Sequence, residues 1–427
     1  MGVGSASVVN YANTYPGTAS DVNATGSVGD FEVVVDGSGA TTLSLNFQTT
    51  TTLDPRITFT RASSATQYNS AGTLISVGSN VARFDYDPAT LAPKGLLIEE
   101  QRTNLLTYSS EFDNAAWTKG AGVTVTANAI TSPDGTTTAD LISAPQDLGC
   151  YENVLSIGTG VTVTNSVYIK AGTATQLLFR DDLGTGRHIV INPATGQITG
   201  SSGTIIASGS VAIGNGWYRY FMTYVTDSVN ARSWVRNNTT GTLTYYEWGT
   251  QLEAGASPTS YIPTTSATVT RAADNASMVG SNFSSWYNQS EGTFVVNGDT
   301  VSNSGNRVYF DVGANGALGT TAYAVQTSTY VGLLPGTAPV NMTSTVNTTT
   351  LTNKIATAMQ NNNSTIAVNA SLGVVDITCT MPASATTLTV GCSQFGGTFG
   401  NYLNGHIQSI KYYPKRLPNG TLQGLTA

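Results

Sequence analysis

The residues best suited to polar-ligand chemistry lie in Tyr245-Tyr246-Glu247-Trp248-Gly249-Thr250-Gln251-Leu252, where aromatic rings alternate with an acid and an amide. Sugar recognition asks for an aromatic face that rests on ring C–H groups, beside amide, carboxylate or guanidinium groups that hydrogen-bond the hydroxyls. Successive side chains of an extended strand point to opposite faces. Tyr246, Trp248 and Leu252 therefore share one face, read as core, while Tyr245, Glu247 and Gln251 share the other. The second face is the candidate glycan-binding surface. Lys170 and Arg180 join it, because each ends a strand whose Ile169 and Phe179 should point inward. The competing assignment is simply the wet face of a sandwich. Trp117, Trp217 and Trp234 are assigned to the core.

Catalytic inventories are thin. Two histidines, His188 and His406, serve the whole chain, and neither stands near a cysteine or in a metal-ligand spacing. No GxSxG elbow precedes a helical stretch, and no GxxxxGK loop occurs. Glycoside hydrolysis needs two carboxylates held apart on a concave face. Glu99, Glu100, Asp181, Asp182, Glu247 and Glu253 are available, yet Glu99 and Glu100 are adjacent and point to opposite faces of a strand. Asp181-Asp182 precede Leu183-Gly184-Thr185-Gly186 and read as a solvated turn. No catalytic residue, metal ligand or cofactor is assigned, and the chain is expected not to be an enzyme. His406 is expected as a packed or exposed residue of the closing strand.

Composition sets the elements that must position these groups. Of 427 residues only 10% are charged, 18 basic against 25 acidic for a net −7, so long charged helices are excluded. Abundant Gly, Thr, Ser and Asn with 20 Tyr, 12 Phe and 5 Trp describe strands and turns with enough apolar surface to fold. The fold class is all-β. A pI near 4.8 argues against nucleic acid as partner, since a polyanion would need a local concentration of Arg or Lys. No apolar run of membrane-spanning length and no secretion-signal pattern occur, so no membrane association is expected. Cys150, Cys379 and Cys392 form no CxxC and are expected as buried free thiols.

Along the chain, residues 1–52 show two short alternating runs, Phe31 to Asp36 and Leu43 to Phe47, around Gly37-Ser38-Gly39. They are read as an N-terminal anchoring arm. Residues 53–105, punctuated by Pro55, Pro88 and Pro93, are a β-rich connecting segment. Residues 106–272 carry strands at 165–170, 176–180, 217–225, 231–236 and 245–252, separated by turn signals, which is sandwich spacing. In 217–225 both parities carry aromatics, so that strand should be covered on both sides, one cover being a neighbouring subunit. Residues 273–427 form a second sandwich closing on Gly405 to Leu417. The one internal helix candidate is Leu351 to Gln360, where Ile355 and Met359 share a face.

The strings Ile57 to Thr66, Arg83-Phe84-Asp85-Tyr86-Asp87-Pro88, Gly95-Leu96-Leu97-Ile98-Glu99 and Arg102-Thr103-Asn104-Leu105-Leu106 resemble a recurrent module of tailed-bacteriophage virion proteins. The likeness continues through Ser110-Glu111-Phe112, Ala116-Trp117-Thr118-Lys119 and Pro133-Asp134-Gly135-Thr136. It ends at Gln251 to Gly255, Thr259 to Thr264 and Thr270-Arg271-Ala272-Ala273-Asp274, covering about half of the chain. It implies a jelly-roll of the carbohydrate-binding-module type over 106–272. The closing strand resembles that of a laminin-G or concanavalin-A-like sandwich for 273–427. Such chains usually continue into a short helix, whereas here Pro418-Asn419-Gly420 occupies its start and Gly420 disfavours it by about 1 kcal/mol.

What the resemblance implies is a virion surface protein, assembled in the host bacterial cytoplasm. It would be a head fibre, capsid decoration or tail fibre, fastened to other virion proteins by the arm. Host-surface glycans are the expected partners and a homotrimer the expected assembly. A structural calcium ion is compatible, with Asp113 or Glu253 as oxygen donors. A tail-borne receptor-binding protein with polysaccharide depolymerase activity is the alternative.

Overall fold

The computed structural model describes residues 41–154, 156–302, 305–314, 321–326, 330–334, 344–348, 350–381, 384–395 and 397–427. The expected strand at 31–36, its Gly37-Ser38-Gly39 turn and most of the arm lie outside these residues. The described chain is all-β, as expected, and its sheets pair into two sandwiches, one inserted in the other.

The host sandwich takes strands from both ends of the sequence. One sheet runs Ser371–Leu372, Thr365–Val368, Thr352–Gln360, Glu291–Asp299, Gly405–Tyr413, Pro93–Ile98 and Arg83–Tyr86, with Leu43–Asn46 also paired to Gly405–Tyr413. The facing sheet runs from Thr58–Thr60 through Asn275–Val279, Thr387–Val390 and Arg307–Gly313 to three further strands. Between them lie Phe294, Phe310, Ile355, Leu388, Ile410 and Tyr412, with the rings of Phe294 and Phe310 stacked at 4.4 Å. The segment 53–105, expected to connect, instead supplies strands to both sheets. Leu43 and Leu45 alternate inward against Tyr412 and Ile410, so the end of the expected arm is part of this core.

Two further expectations are corrected. Leu351 to Gln360 is not a helix: Thr352–Gln360 is a strand pairing all nine residues with Glu291–Asp299. Both of its faces are covered, which no single helical stripe provides for. Ile355 and Met359 enter the main core, while Ala356 and Ala358 meet Leu417 and Leu422 on the other side. That outer cover is the tail, which does form a helix, Asn419–Leu425, with Leu422 fully buried. Burial of one leucine against small alanines, worth roughly 1.5–3 kcal/mol, outweighs the glycine penalty.

The chain leaves the host through Arg102–Asn104 and returns through Val269–Arg271, and these two strands pair antiparallel as a stem. Between them stands the inserted jelly-roll. Its inner sheet runs Ala207–Gly214, Trp217–Val225, Thr162–Ala171, Leu243–Ala254, Ala139–Ala144 and Thr124–Ile130. Its outer sheet runs Ile198–Ser202, Arg187–Ile191, Leu177–Asp181, Ala231–Asn237, Gly149–Val154 and Thr118–Lys119. Phe112, Trp117, Ile169, Phe179, Tyr220 and Leu252 pack between the sheets. The far side of the inner sheet is covered as well, but by this chain itself. Leu74, from the hairpin Ala65–Tyr68 and Leu74–Val77, and Tyr261 pack on Tyr168, Trp217 and Trp248.

At the base of the stem sits a buried ion network. Arg61 Nη1 meets Asp274 Oδ1 at 3.0 Å, Arg83 Nη2 meets Glu99 Oε2 at 2.8 Å and contacts Asp274, and Arg271 Nη2 lies 3.5 Å from Glu99 Oε2. Each of these five residues is buried. Backbone groups complete it: Glu99 N–H donates to Asp274 Oδ2 at 2.9 Å, and Ser260 N–H donates to Glu99 Oε1 at 2.7 Å. Nearby, His406 is a packed strand residue, one of the two states expected of it, and its ring lies between Asp299 at 2.7 Å on the adjacent strand and Asp85 at 3.0 Å on the strand beyond Pro93–Ile98. All three cysteines are free and buried.

Burial alone would push the Glu99 carboxyl up, but the Arg271 and Arg83 guanidiniums and the Ser260 hydrogen bonds hold it well below the usual glutamate range. A depressed carboxyl stabilises the fold fully above its unfolded value, 4.5, and the contribution is lost as pH falls through the folded value. Asp274→Asn should therefore cost about 3–5 kcal/mol in urea unfolding at pH 7 by leaving guanidiniums unpaired. Glu99→Gln should flatten the decline in stability below pH 4.5. A wild-type acid limb in Glu99→Gln would contradict the assignment.

Candidate binding face on the outer sheet

The strand Ala231–Asn237 alternates strictly: Ala231, Ser233, Val235 and Asn237 are buried, while Arg232, Trp234 and Arg236 point away from the core. The neighbouring Leu177–Asp181 buries Leu177, Phe179 and Asp181 and turns Arg180 outward, and Arg187–Ile191 turns His188 and Val190 outward. Register then aligns one row across the whole sheet. Thr118 faces Tyr151, Tyr151 faces Trp234, Trp234 faces Arg180, Arg180 faces His188 and His188 faces Ser202.

Trp234 lies at the centre of this row. The guanidinium carbons of Arg180, Arg236 and Arg232 stand 4.9, 5.5 and 5.8 Å from its ring. Arg232 also lies 4.2 Å from the Tyr151 ring, and the two aromatic rings meet at 5.5 Å. Each such cation–aromatic contact contributes roughly 0.5–2 kcal/mol and holds a planar guanidinium ready for an incoming acceptor. Two carboxylates oppose the three cations: Asp182, 2.7 Å from Arg232 and 3.6 Å from Arg180, and the exposed Asp147, 3.4 Å from Arg236. The face keeps an excess positive charge in a chain whose net charge is −7. The Nε atoms of Arg180 and Arg236 and the indole N–H of Trp234 have no hydrogen-bond partner among the described residues.

Burial lowers the pKa of His188, and the charges of Arg180 and Arg236 lower it further, so the imidazole is neutral at pH 7. Arg180 is lowered first by burial and then by Arg236. The arrangement suits a ligand that offers an apolar ring face to Trp234 or Tyr151 and acceptor oxygens to the guanidiniums.

Of the five residues singled out in the sequence, this face contains Arg180. Lys170 lies on the opposite side of the sandwich, half-buried beside Trp217 in a groove against the covering hairpin. Tyr245, Glu247 and Gln251 are buried and line no surface, which corrects their assignment. Tyr245 sits in the sandwich core and donates to the Val235 carbonyl at 3.0 Å, and Gln251 donates to Glu253 at 2.7 Å and accepts from the Ile262 N–H at 2.7 Å. Both faces of this strand are covered, one by the opposing sheet and the other by Leu74 and Tyr261, and a bulge shifts its parity part-way along. Opposite Thr162–Ala171, Ser166 pairs with Gln251 while Tyr168 pairs with Trp248, so one extra residue is accommodated at Gly249, whose φ is +61°. Parity reverses there, placing Leu252 with Tyr245 in the core and Gln251 with Trp248 on the junction side.

Trp234 is also corrected, since it was assigned to the core and is half-exposed. Arg232, Arg236 and Tyr151 were missed, although Arg232-Ser233-Trp234-Val235-Arg236 shows the period of two that would have found them. Asp181 is not in a solvated turn but is buried, 3.6 Å from Arg187. Glu253, considered for calcium, spends its carboxylate on the Thr259 N–H and hydroxyl and on Gln251. Asp113 is exposed.

No family model matches the chain, and no curated protein matches it. Solved structures to which it is similar include the CBM40 module of the Ruminococcus gnavus IT-sialidase bound to α2,3 sialyllactose, at 17% identity and a TM-score of 0.29. That match covers 33% of this chain and 84% of the module. A variant of the NanB sialidase of Streptococcus pneumoniae matches at 12% identity and a TM-score of 0.29, over 34% of this chain and 26% of that one. The leech intramolecular trans-sialidase matches at 18% identity and a TM-score of 0.29, over 33% and 23%.

Burial pushes the Glu247 carboxyl well above its ordinary value, and its cross-strand partner Asp140 pushes it further. A buried neutral acid opposes folding once the unfolded chain ionises, so its contribution worsens as pH rises past 4.5. Glu247→Gln should leave the fold intact and raise stability at pH 7 relative to pH 4. Destabilisation at pH 7 larger than at pH 4 would show that the carboxylate is charged in place.

Proposed function

We propose that this chain is a surface protein of a tailed-bacteriophage virion, in fibre or decoration, and that its inserted jelly-roll binds acidic glycans on the outer sheet. The observation that carries the binding reading is the row Tyr151, Trp234, Arg180 with Arg232 and Arg236 fanned around it. Stacked guanidiniums recognise carboxylate or sulfate oxygens, and the half-exposed rings accept the sugar's C–H face. The virion reading is supported by the phage-module motifs between Ile57 and Asp274. The role proposed is adhesion without turnover. Supporting this, the carboxyl pair Asp140 and Glu247 lies inside the closed sandwich core, away from any substrate. Weak individual contacts would be multiplied by many copies on one particle.

Calorimetry of the full chain with oligosaccharides of hyaluronate and alginate against neutral dextran tests the reading. Acidic chains should bind, more weakly with added salt, and more tightly below neutral pH as His188 gains its proton. Trp234→Ala and Arg180→Ser should each weaken binding by about 10-fold or more, about 1.4 kcal/mol. Equal binding of dextran, or unchanged affinity in both variants, would overturn it. Released reducing ends would overturn the assignment of binding without turnover.

Attachment through the N-terminal arm is proposed as well, and the fold sharpens how to test it. Removing residues 1–40 should abolish incorporation into particles, with the melting temperature measured alongside. Removing residues 1–52 should lower it, because Leu43, Leu45 and Phe47 then leave the host core. Particles that incorporate the 1–40 deletion normally would exclude the anchoring role.

A further inference from the structure

The inserted jelly-roll ends on one side in an unprotected edge. Ala207–Gly214, the last strand of the inner sheet, pairs only with Trp217–Val225, so the backbone groups on its other side have no strand partner among the described residues. At eight residues it is the longest edge strand of the described sheets. Residues 206–208 and 210–212 are exposed, Ile206 by 54% and Val211 by 46%. Natural edges are blunted by charges, by proline or by a bulge that bends the strand away. Here residues 189–218 contain no charged side chain, no proline lies within the strand, and its register shift falls at the end, between Ala212 and Gly214. The opposite edge of the same sheet shows the contrast. Thr124–Ile130 is interrupted at Asn128, whose φ is +53°, with a register shift opposite Ala139 and Leu141.

The occupant that satisfies such an edge is another extended strand, because alternate residues turn their N–H and C=O groups outward together. The sequence points to a second copy of the same one. Around Gly209 the residue types repeat in both directions: Ser208 with Ser210, Ala207 with Val211, and Ile206 with Ala212. An antiparallel partner centred on Gly209 therefore sets hydroxyl beside hydroxyl and apolar beside apolar. A two-fold interface requires this self-complementarity, since one patch serves both subunits. Charge acts in the same direction. Two chains of net −7 repel one another, and they approach most easily where neither presents a charge. The strand is also held in place before any partner arrives, as the Ser210 hydroxyl donates to the Gly196 carbonyl at 2.6 Å and ties the edge to a turn of the outer sheet.

We propose that Ala207–Gly214 is the interface of a two-fold dimer, pairing antiparallel with its own copy about Gly209 and joining two inner sheets into one. The axis of such a pair stands perpendicular to the joined sheet, so the arginine faces of both subunits look to the same side of the dimer.

Sedimentation equilibrium of the full chain over a concentration series tests the interface. The chain should associate reversibly to twice 44.4 kDa. In this pairing Ser208, exposed in the single chain, lies diagonally across the axis from the partner's Ser208 at about 7–8 Å. Ser208→Lys and Ser208→Glu should therefore each raise the dissociation constant about 10-fold or more, through like charges brought together. An equimolar mixture of the two variants should recover the dimer as a mixed pair, which a merely damaged surface could not do. Melting curves confirm that both variants are folded. A wild-type chain that stays monomeric, leaving the edge to some other partner, or that forms a trimer would overturn the proposal. So would wild-type association in both variants, or a mixture that associates no better than either variant alone.

Discussion

Arg61, Arg83, Glu99, Arg271 and Asp274 form the constraint on which the rest of the molecule depends. They bring together three stretches that are distant in sequence: the first host strands, the strand leading into the stem and the strand leaving it. Hydrophobic burial would tolerate many ways of stacking two sandwiches. A buried pair of carboxylates shared among three guanidiniums tolerates very few, because each displaced member leaves a charge without a partner in a dry environment. The same network fixes Ser260, and with it the 258–262 segment that helps to cover the jelly-roll's inner sheet. The place where one sandwich is inserted in the other is therefore also the place where their relative position is set.

Composition reads charge as an average, and this structure shows how little an average constrains. A chain with 10% charged residues and net −7 hides several of them in ion networks and core, as with Glu99, Asp274 and Asp181. It then concentrates Arg180, Arg232 and Arg236 on one strand pair around a single indole. Glu99 and Glu247 show the same economy in opposite senses: one is held ionised by guanidiniums, the other is kept neutral by an apolar core and a neighbouring acid. Identical side chains thus give the fold opposite responses to pH.

Strand content, the all-β class and the position of Arg180 were readable because each depends on local rules, turn chemistry and a period of two. The Tyr245 to Leu252 reading failed because both faces of that strand are covered, and at Gly249 a bulge also exchanges the faces of Gln251 and Leu252, announced in sequence only as one more glycine among 45. Thr352–Gln360 was misread because a strand covered on both faces loses its alternation, leaving Ile355 and Met359 to imitate a helical stripe. The tail helix was discounted on propensity and rescued by tertiary burial of Leu422. Trp234 was assigned inward by default, whereas the arginines two residues to either side of it on the same strand face were the better guide. None of the long-range facts, the stem, the ion network or the shared host sheets, leaves a local signature.

The stem has a wider meaning. Because Arg102–Asn104 and Val269–Arg271 lie side by side, the jelly-roll's two chain ends emerge at one point, and the host closes on itself without it. Such geometry makes the jelly-roll a self-contained insertion: exchanging the segment between the two stem strands would leave the framework its own core. The limit on that exchange is the hairpin around Leu74, whose apolar side is cut to Tyr168 and Trp248, so a foreign insertion must present a matching back or arrive with its own lining.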